Sequence, residues 1–277
     1  MKKSIALAWA CLLLTGTCFA QTATGGGSKT AKTAESNLRT YKIKLGTGKD
    51  KQVQLTMFNS EVAIEGYNGD EVIIETRDYT APPKRAEGLK PLYNQMEDNT
   101  NLGLSVEKKG NIVTIAKASR NDGKFTIKVP RNASVLYKET NWTGGDLTIS
   151  NLDGEIEAKL NNAEATFTNV SGPVVANTTA GSLKVVFSAI DQNKPSALSS
   201  VAGEIDVTLP ANTKANFKLK SLQGEIYTDF DMDLKRSDKG NLAVIGGGGN
   251  IDGKTNGGGV EINVQSISSD IYIRKKK

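Results

Sequence analysis

The sequence predicts an all-β repeat architecture, a β-solenoid of short strands in stacked sheets. Three observations carry this. A short phrase recurs as Gly145-Asp-Leu-Thr-Ile149, Gly154-Glu-Ile-Glu-Ala158, Gly172-Pro-Val-Val-Ala176 and Gly181-Ser-Leu-Lys-Val185. Its starts fall on one nine-residue comb, and Ala163-Glu-Ala-Thr-Phe167 fills the remaining tooth without Gly; a fixed period marks a repeat fold. No segment has helical periodicity.

Within each phrase apolar and polar residues alternate: Leu147 and Ile149 flank Thr148, and Leu183 and Val185 flank Lys184. Alternation means a half-buried strand, and the leading Gly supplies a turn. Such a strand cannot bury its apolar face alone, so the units must stack. The phrase returns at Gly203-Glu-Ile-Asp-Val207, Gly224-Glu-Ile-Tyr-Thr228 and Asp270-Ile-Tyr-Ile273. The competing architecture is a β-sandwich of hairpins, for which Asn68-Gly69 and Asp153-Gly154 are turn signals.

Taken in order, residues 1–20 read as a signal peptide. Lys2 and Lys3 precede the apolar run Ile5 to Leu14, and Cys18-Phe-Ala20 is a small-residue cleavage site. The run is too short for a membrane span. A lipidated Cys18 wants Leu three places before it and a small Ala or Gly just before it; Thr15 and Thr17 stand there. Residues 21–37, with Gly25-Gly-Gly27, read as a flexible leader. Residues 38–277 form one β-repeat domain, with strands expected at 41–45, 52–58, 61–65, 71–76, 102–106, 111–116 and 124–129, and residues 134–140 leading into the repeats. Residues 78–101 break the rhythm with Pro82-Pro83, Gly88 and Pro91. This long loop is expected to cap the first coil's open edge; otherwise its Tyr79, Lys84, Arg85 and Tyr93 offer a contact surface. Asp191 to Ser196 reads as a surface excursion, and Gly246 to Gly249 and Gly257 to Gly259 read as flanking a loose loop. Val260 to Val264 and Asp270 to Ile273 read as closing strands.

Cleavage after Ala20 leaves a chain with no Cys and no His, because Cys11 and Cys18 both precede it. An exported domain without disulfides stands on its own core. Net charge falls from +5 to +3 once Lys2 and Lys3 are gone, and Arg274-Lys-Lys-Lys277 supplies four positive charges. The basic pI thus describes the two ends, and a solvated C-terminal end is expected. Nothing reads as a nucleic-acid footprint.

The missing His and Cys exclude a Ser-His-Asp triad, a thiol nucleophile and an ordinary zinc site. Carboxylate chemistry remains, with Asp229, Asp231 and Asp233 alternating on one face; a calcium loop there fails at Leu234 and Gly240. In Gly246-Gly-Gly-Gly-Asn-Ile-Asp252 the calcium nonapeptide's aspartate place holds Ile251. No cofactor and no metal are expected. Trp142, the single Trp after residue 20, stands beside Gly144-Gly145 and is a candidate sugar-stacking residue.

Val62-Ala-Ile-Glu-Gly-Tyr-Asn-Gly-Asp-Glu-Val-Ile-Ile-Glu75, the Gly-Glu-Ile and Gly-Asp-Leu repeats, and Asn256-Gly-Gly-Gly-Val-Glu-Ile-Asn-Val264 with Asp270-Ile-Tyr-Ile273 resemble a bacterial family. It is the putative-adhesin β-strand-repeat domain family of unknown function, common in Bacteroidetes, and the resemblance spans roughly residues 40 to 275. It implies an all-β repeat fold in an exported protein and brings no catalytic or ligand residues. The expectation is a non-catalytic adhesin-like protein of the periplasm, outer-membrane surface or extracellular space, binding an extended glycan or protein. The alternatives are a carboxylate-dependent polysaccharide enzyme on a β-helix and a structural envelope protein.

Overall fold

A computed structural model describes residues 38–48, 50–89, 92, 96–235 and 250–277. β1 (Arg39–Lys44) precedes the first coil, β2 (Gln52–Met57) and β3 (Ser60–Tyr67), and β4 (Glu71–Thr76) follows it. After a 3-10 turn at Lys84–Ala86 comes β5 (Leu104–Lys109). Then come β6 (Ile112–Lys117) and β7 (Gly123–Pro130), β8 (Ser134–Glu139) and β9 (Leu147–Ser150), β10 (Ile156–Asn162) and β11 (Ala165–Val170). β12 (Val174–Ala180) and β13 (Leu183–Phe187), β14 (Ser196–Ala202) and β15 (Ile205–Leu209), and β16 (Ala215–Ser221) and β17 (Ile226–Thr228) continue the series. β18 (Asp233–Lys235) and β19 (Asn250–Thr255) pair antiparallel, and β20 (Val260–Ser266) and β21 (Ile271–Lys275) end the chain.

Each coil gives one strand to each of two sheets. Sheet A runs β1-β4-β7-β3-β9-β11-β13-β15-β21-β17, and sheet B runs β18-β19-β16-β20-β14-β12-β10-β8-β2-β6-β5. The nine-residue comb is therefore half a coil, and successive phrases alternate between sheets. Ile156 pairs in parallel with Val174, one full coil on. The solenoid reading holds, and neither hairpin signal makes a hairpin. β7 lies between β3 and β4, and Asp153-Gly154 turns the chain from β9 in one sheet to β10 in the other.

Inward residues stack in rows about 4.8 Å apart from coil to coil. Val113, Val53, Val135, Ile156 and Val174 form one row of sheet B. Ile127, Ile64, Ile149, Phe167, Val185, Val207 and Ile273 form one row of sheet A, every member fully buried. These two faces make the core. At one corner Asn151 and Asn169 both take left-handed backbone, φ 57°, and Asn169 Nδ2 donates to Asn151 Oδ1 at 2.6 Å.

Coil order in space departs from coil order in sequence at both ends. β6–β7 stacks outside the first coil, β2–β3, and β20–β21 inserts between β14–β15 and β16–β17. The strands expected to close the body thus fill an interior place. The first coil has no open edge for 78–101 to cover. Antiparallel strands do the capping: β4 and β1 beyond β7, β5 beyond β6, and β19 and β18 beyond β16. The end of the long loop secures this cap. Asn99 Nδ2 donates to the Val106 carbonyl, and Val106 N–H donates to Asn99 Oδ1, both at 2.9 Å. The amide thereby stands in for a strand partner on the sheet edge. β14 and β16 lie where no strand was expected, and β19 lies where the glycine runs were expected to flank a loose loop. The basic end is only partly solvated, since Arg274 and Lys275 belong to β21 and Arg274 Nε bonds both Asp206 oxygens at 3.1 Å. The glycine run at 246–249 lies outside the described residues.

The corner glycines answer to contact as well as turning. Gly203 has φ +149°, and a Cβ there would lie 2.1 Å from the Gly181 carbonyl oxygen of the next coil. Gly257 also has positive φ, +86°, but nothing lies within 4 Å of its Cβ position. Gly203→Ala should therefore cost roughly 2–5 kcal/mol, combining strain with overlap. Gly257→Ala should cost about 1 kcal/mol. Urea unfolding of the two variants separates these values; equal losses would show that coil contact is not the constraint.

Candidate functional site

Four adjacent coils bring their sheet-B-to-sheet-A corners together, and a cleft of about 600 Å³ opens there. Trp142, on the corner between β8 and β9, is 61 % exposed and forms one wall. Asn59, Ser60 and Glu61 come from the first coil, Asp122, Gly123 and Lys124 from the β6–β7 coil, and Asn162 from the β10–β11 coil. Asp78 reaches in from the start of the long loop.

The backbone that carries Trp142 is tied down on both sides. Asn59, in left-handed backbone at φ 48°, donates its N–H to the Thr143 carbonyl at 3.0 Å. Asn141 Nδ2 and Thr143 Oγ1 both donate to Asn59 Oδ1. From the other side Asn161 Nδ2 donates to the Asn141 carbonyl at 3.0 Å, and Asn162 Nδ2 to the Trp142 carbonyl at 3.4 Å. Beneath the corner lies Glu139, 4 % exposed. Its Oε2 accepts the Asn161 and Asn162 N–H groups at 2.5 and 3.1 Å. Its Oε1 has no partner and fills the space a Cβ on Gly144 would take. The indole thus projects from a corner hydrogen-bonded to both neighbouring coils.

Three carboxylates, Glu61, Asp78 and Asp122, share the walls with one ammonium, Lys124. Lys124 Nζ meets Glu61 at 2.6 Å, and this bond and charge raise the Lys124 pKa. With both side chains more than half exposed, the pair adds little stability. A second cavity of about 440 Å³ adjoins and shares Glu61, Lys124 and Asp78, with Leu38, Glu75 and Arg77 on its far side. Behind Gly123 lies Lys117, 6 % exposed, its Nζ 4.6 Å from the centre of the Phe125 ring. Burial pushes its ammonium down to about 8, against the pull of Asp122 and Asp98.

Of the candidate site residues read from the sequence, Trp142 alone lines the cleft among the described residues. Tyr79 packs under Arg39, guanidinium to ring centre 4.5 Å; burial and then the Asp98 carboxylate raise its hydroxyl pKa. Lys84 and Arg85 sit exposed on the 3-10 turn. Tyr93 and Ala20 lie outside the described residues. Asp78, Asp122, Asn59, Glu61 and Lys124 carried no local signal, because they meet only when corners from separate coils align. Among the described residues no cluster of three or more His, Cys, Asp or Glu side chains could hold a metal ion, and no helix is long and apolar enough to cross a membrane.

Lys117 is an internal cost. Native chains release its proton near pH 8, whereas unfolded chains hold it to the ordinary 10.5. Below pH 8 both states are protonated and the burial penalty is fully present; between 8 and 10.5 stability rises as the native state loses the charge. Lys117→Met should therefore stabilise the protein at pH 7 by on the order of 1–2 kcal/mol. That advantage should fade as pH climbs through this window. Thermal melts across the range check it; a gain independent of pH would mean the ammonium is not the source.

The family model Toastrack DUF4097 matches residues 139–274. No curated protein matches the chain. Among solved structures, a putative cell adhesion protein from Clostridium sporogenes is 12 % identical, with 86 % of this chain and 99 % of that chain covered and a TM-score of 0.43. A putative adhesin from Bacteroides fragilis is 13 % identical, with 86 % and 97 % covered and a TM-score of 0.42. A putative lipid binding protein from Parabacteroides distasonis is 12 % identical, with 88 % and 98 % covered and a TM-score of 0.23. The resemblance to a repeat-domain family of unknown function, read from the sequence, is met over residues 139–274 by the Toastrack DUF4097 model.

Proposed function

We propose that this Toastrack-type chain is a non-catalytic, exported, adhesin-like protein that binds an extended glycan at the cell envelope or surface. The observation that carries the reading is Trp142, an exposed indole on a fixed corner in an open cleft of about 600 Å³. A sugar ring offers an apolar face for an aromatic ring to cover and a rim of hydroxyls. The carboxylates of Asp78 and Asp122 stand where such a rim would find partners. The adjoining cavity across the Glu61–Lys124 pair lengthens the surface, which suits a chain better than a single sugar. In this reading residues 1–20 direct export and are cleaved after Ala20, residues 21–37 are a leader, and 38–277 form the binding domain.

The three carboxylates favour one second reading, a polysaccharide-cleaving enzyme that uses a pair of them. The two readings part on turnover. Because Trp142 is the single Trp after residue 20, intrinsic fluorescence of residues 21–277 reports on the cleft alone. Titration with a panel of polysaccharides should give a saturable change with no release of reducing ends. Trp142→Phe should preserve retention on an immobilised polysaccharide, and Trp142→Ala should weaken it about tenfold. Released ends that vanish in Asp78→Asn or Asp122→Asn would establish the enzyme instead. Retention unchanged by Trp142→Ala would move binding away from this cleft.

A further inference from the structure

The Trp142 cleft stops at the β10–β11 corner, and a second groove begins one strand step further along the same edge of the solenoid. Asn162, the last residue of the cleft in this direction, pairs with Ala180 of β12. The groove, a cavity of about 480 Å³, is lined from β12, β14, β20 and β16 and from the corner residues that follow three of them. These strands belong to the next four coils in space, so cleft and groove succeed one another along the axis.

The groove has two unlike walls. Val201, Ile267 and Leu222 stand at equivalent places just past β14, β20 and β16. Backbone bonds join them: Ile267 N–H donates to the Ser200 carbonyl and Leu222 N–H to the Ser266 carbonyl, both at 3.1 Å. Their side chains are 42, 44 and 48 % exposed, an aliphatic row laid open to water. Two residues back along each strand lie Ser199, Gln265 and Lys220, in register with Asn177 of β12. They make a parallel row of hydroxyl, amide and ammonium groups. Between the two rows run the buried hydroxyls of Thr178, Ser200, Ser266 and Ser221. Three of these bond to backbone. Ser200 lines the groove, is 3 % exposed and has no partner for its Oγ. An unpaired buried hydroxyl costs stability, and a ligand rich in hydroxyls would supply the missing partner.

An aliphatic row beside a polar row suits a chain of sugar rings, each with an apolar face and a hydroxyl rim. An acyl chain would cover the first row and strip water from the amides of the second without replacing their hydrogen bonds. Charge narrows the class. The cleft sets three carboxylates against one ammonium, which disfavours an anionic glycan, and Lys220 is the one charged residue lining the groove. From the Trp142 corner to the Leu222 corner is five strand steps, roughly 24 Å at strand spacing.

We infer that one uncharged, extended glycan runs from the Trp142 cleft into the groove beside Val201, Ile267 and Leu222, so that a single track spans both; this rests on the glycan reading of the cleft. The test is Trp142 fluorescence of residues 21–277, titrated with trisaccharides and octasaccharides of cellulose and of chitin. The octasaccharide should bind about tenfold more tightly than the trisaccharide. Ile267→Ser with Leu222→Ser, both at exposed side chains, should leave trisaccharide affinity unchanged and remove that advantage. An octasaccharide that binds no more tightly, or an advantage that survives the double variant, would overturn the inference and leave the cleft reading standing. Fluorescence unmoved by any of these sugars would remove the cleft as their site and the shared track with it. Dodecanoate that binds wild type but not the double variant, with no effect of glycan length, would make the groove a lipid site and overturn the inference.

Discussion

The close approach of one coil's backbone to the next governs this molecule. At the corners a glycine faces a carbonyl oxygen of the neighbouring coil at a distance where no side chain fits, as at Gly154 over Ala133 and Gly181 over Ala163. Ladder hydrogen bonds hold the coils at strand spacing, so the corners cannot swell to admit a methyl group. The glycine comb is the mark that this limit leaves on the sequence. With spacing fixed, inward side chains must stack like upon like. Rows such as Val113, Val53, Val135 and Ile156 follow from the geometry as much as from the hydrophobic effect.

This division explains what could be read in advance. The local rule was legible: alternation gave the strands, Gly gave the corners, and the period gave stacking. Coil order was not. Most strands present an aliphatic inward face, with single aromatic places such as Tyr137, Phe167 and Phe217, so the sequence does not say which coil rests on which. β6–β7 could sit on either side of β2–β3 as far as pattern goes. What selects its place is the antiparallel cap of β4 and β1, which β7 receives. The cap in turn is invisible because β4 alternates like any coil strand.

The candidate site inherits the same limit. Trp142 stood out as a rare residue beside two glycines, but its neighbours did not. Asp78 and Asp122 reach it only because the β6–β7 coil stacks outside the first coil, which depends on the exchanged order. Tyr227 and Tyr272 each occupied the same position of a recognised phrase, so their outward direction was readable. Their contact was not, since forty-five residues, the cap strands β18 and β19 among them, separate them in sequence. The loop residues Tyr79, Lys84 and Arg85 drew notice for their chemistry. Tyr79 is spent on packing against Arg39, and the polar lining of the candidate cleft gathers instead where corners converge.

The place of the last coil has a consequence for how the molecule is made. β16 and β17 leave the ribosome before β20 and β21, yet their parallel partners are those later strands. Until the final residues appear, the far end of the body has its cap strands and no floor beneath them. Assembly therefore cannot proceed simply by adding each new coil to the last. The C-terminal strands act as a keystone, and a nascent or truncated chain that lacks them is missing an interior course rather than an end.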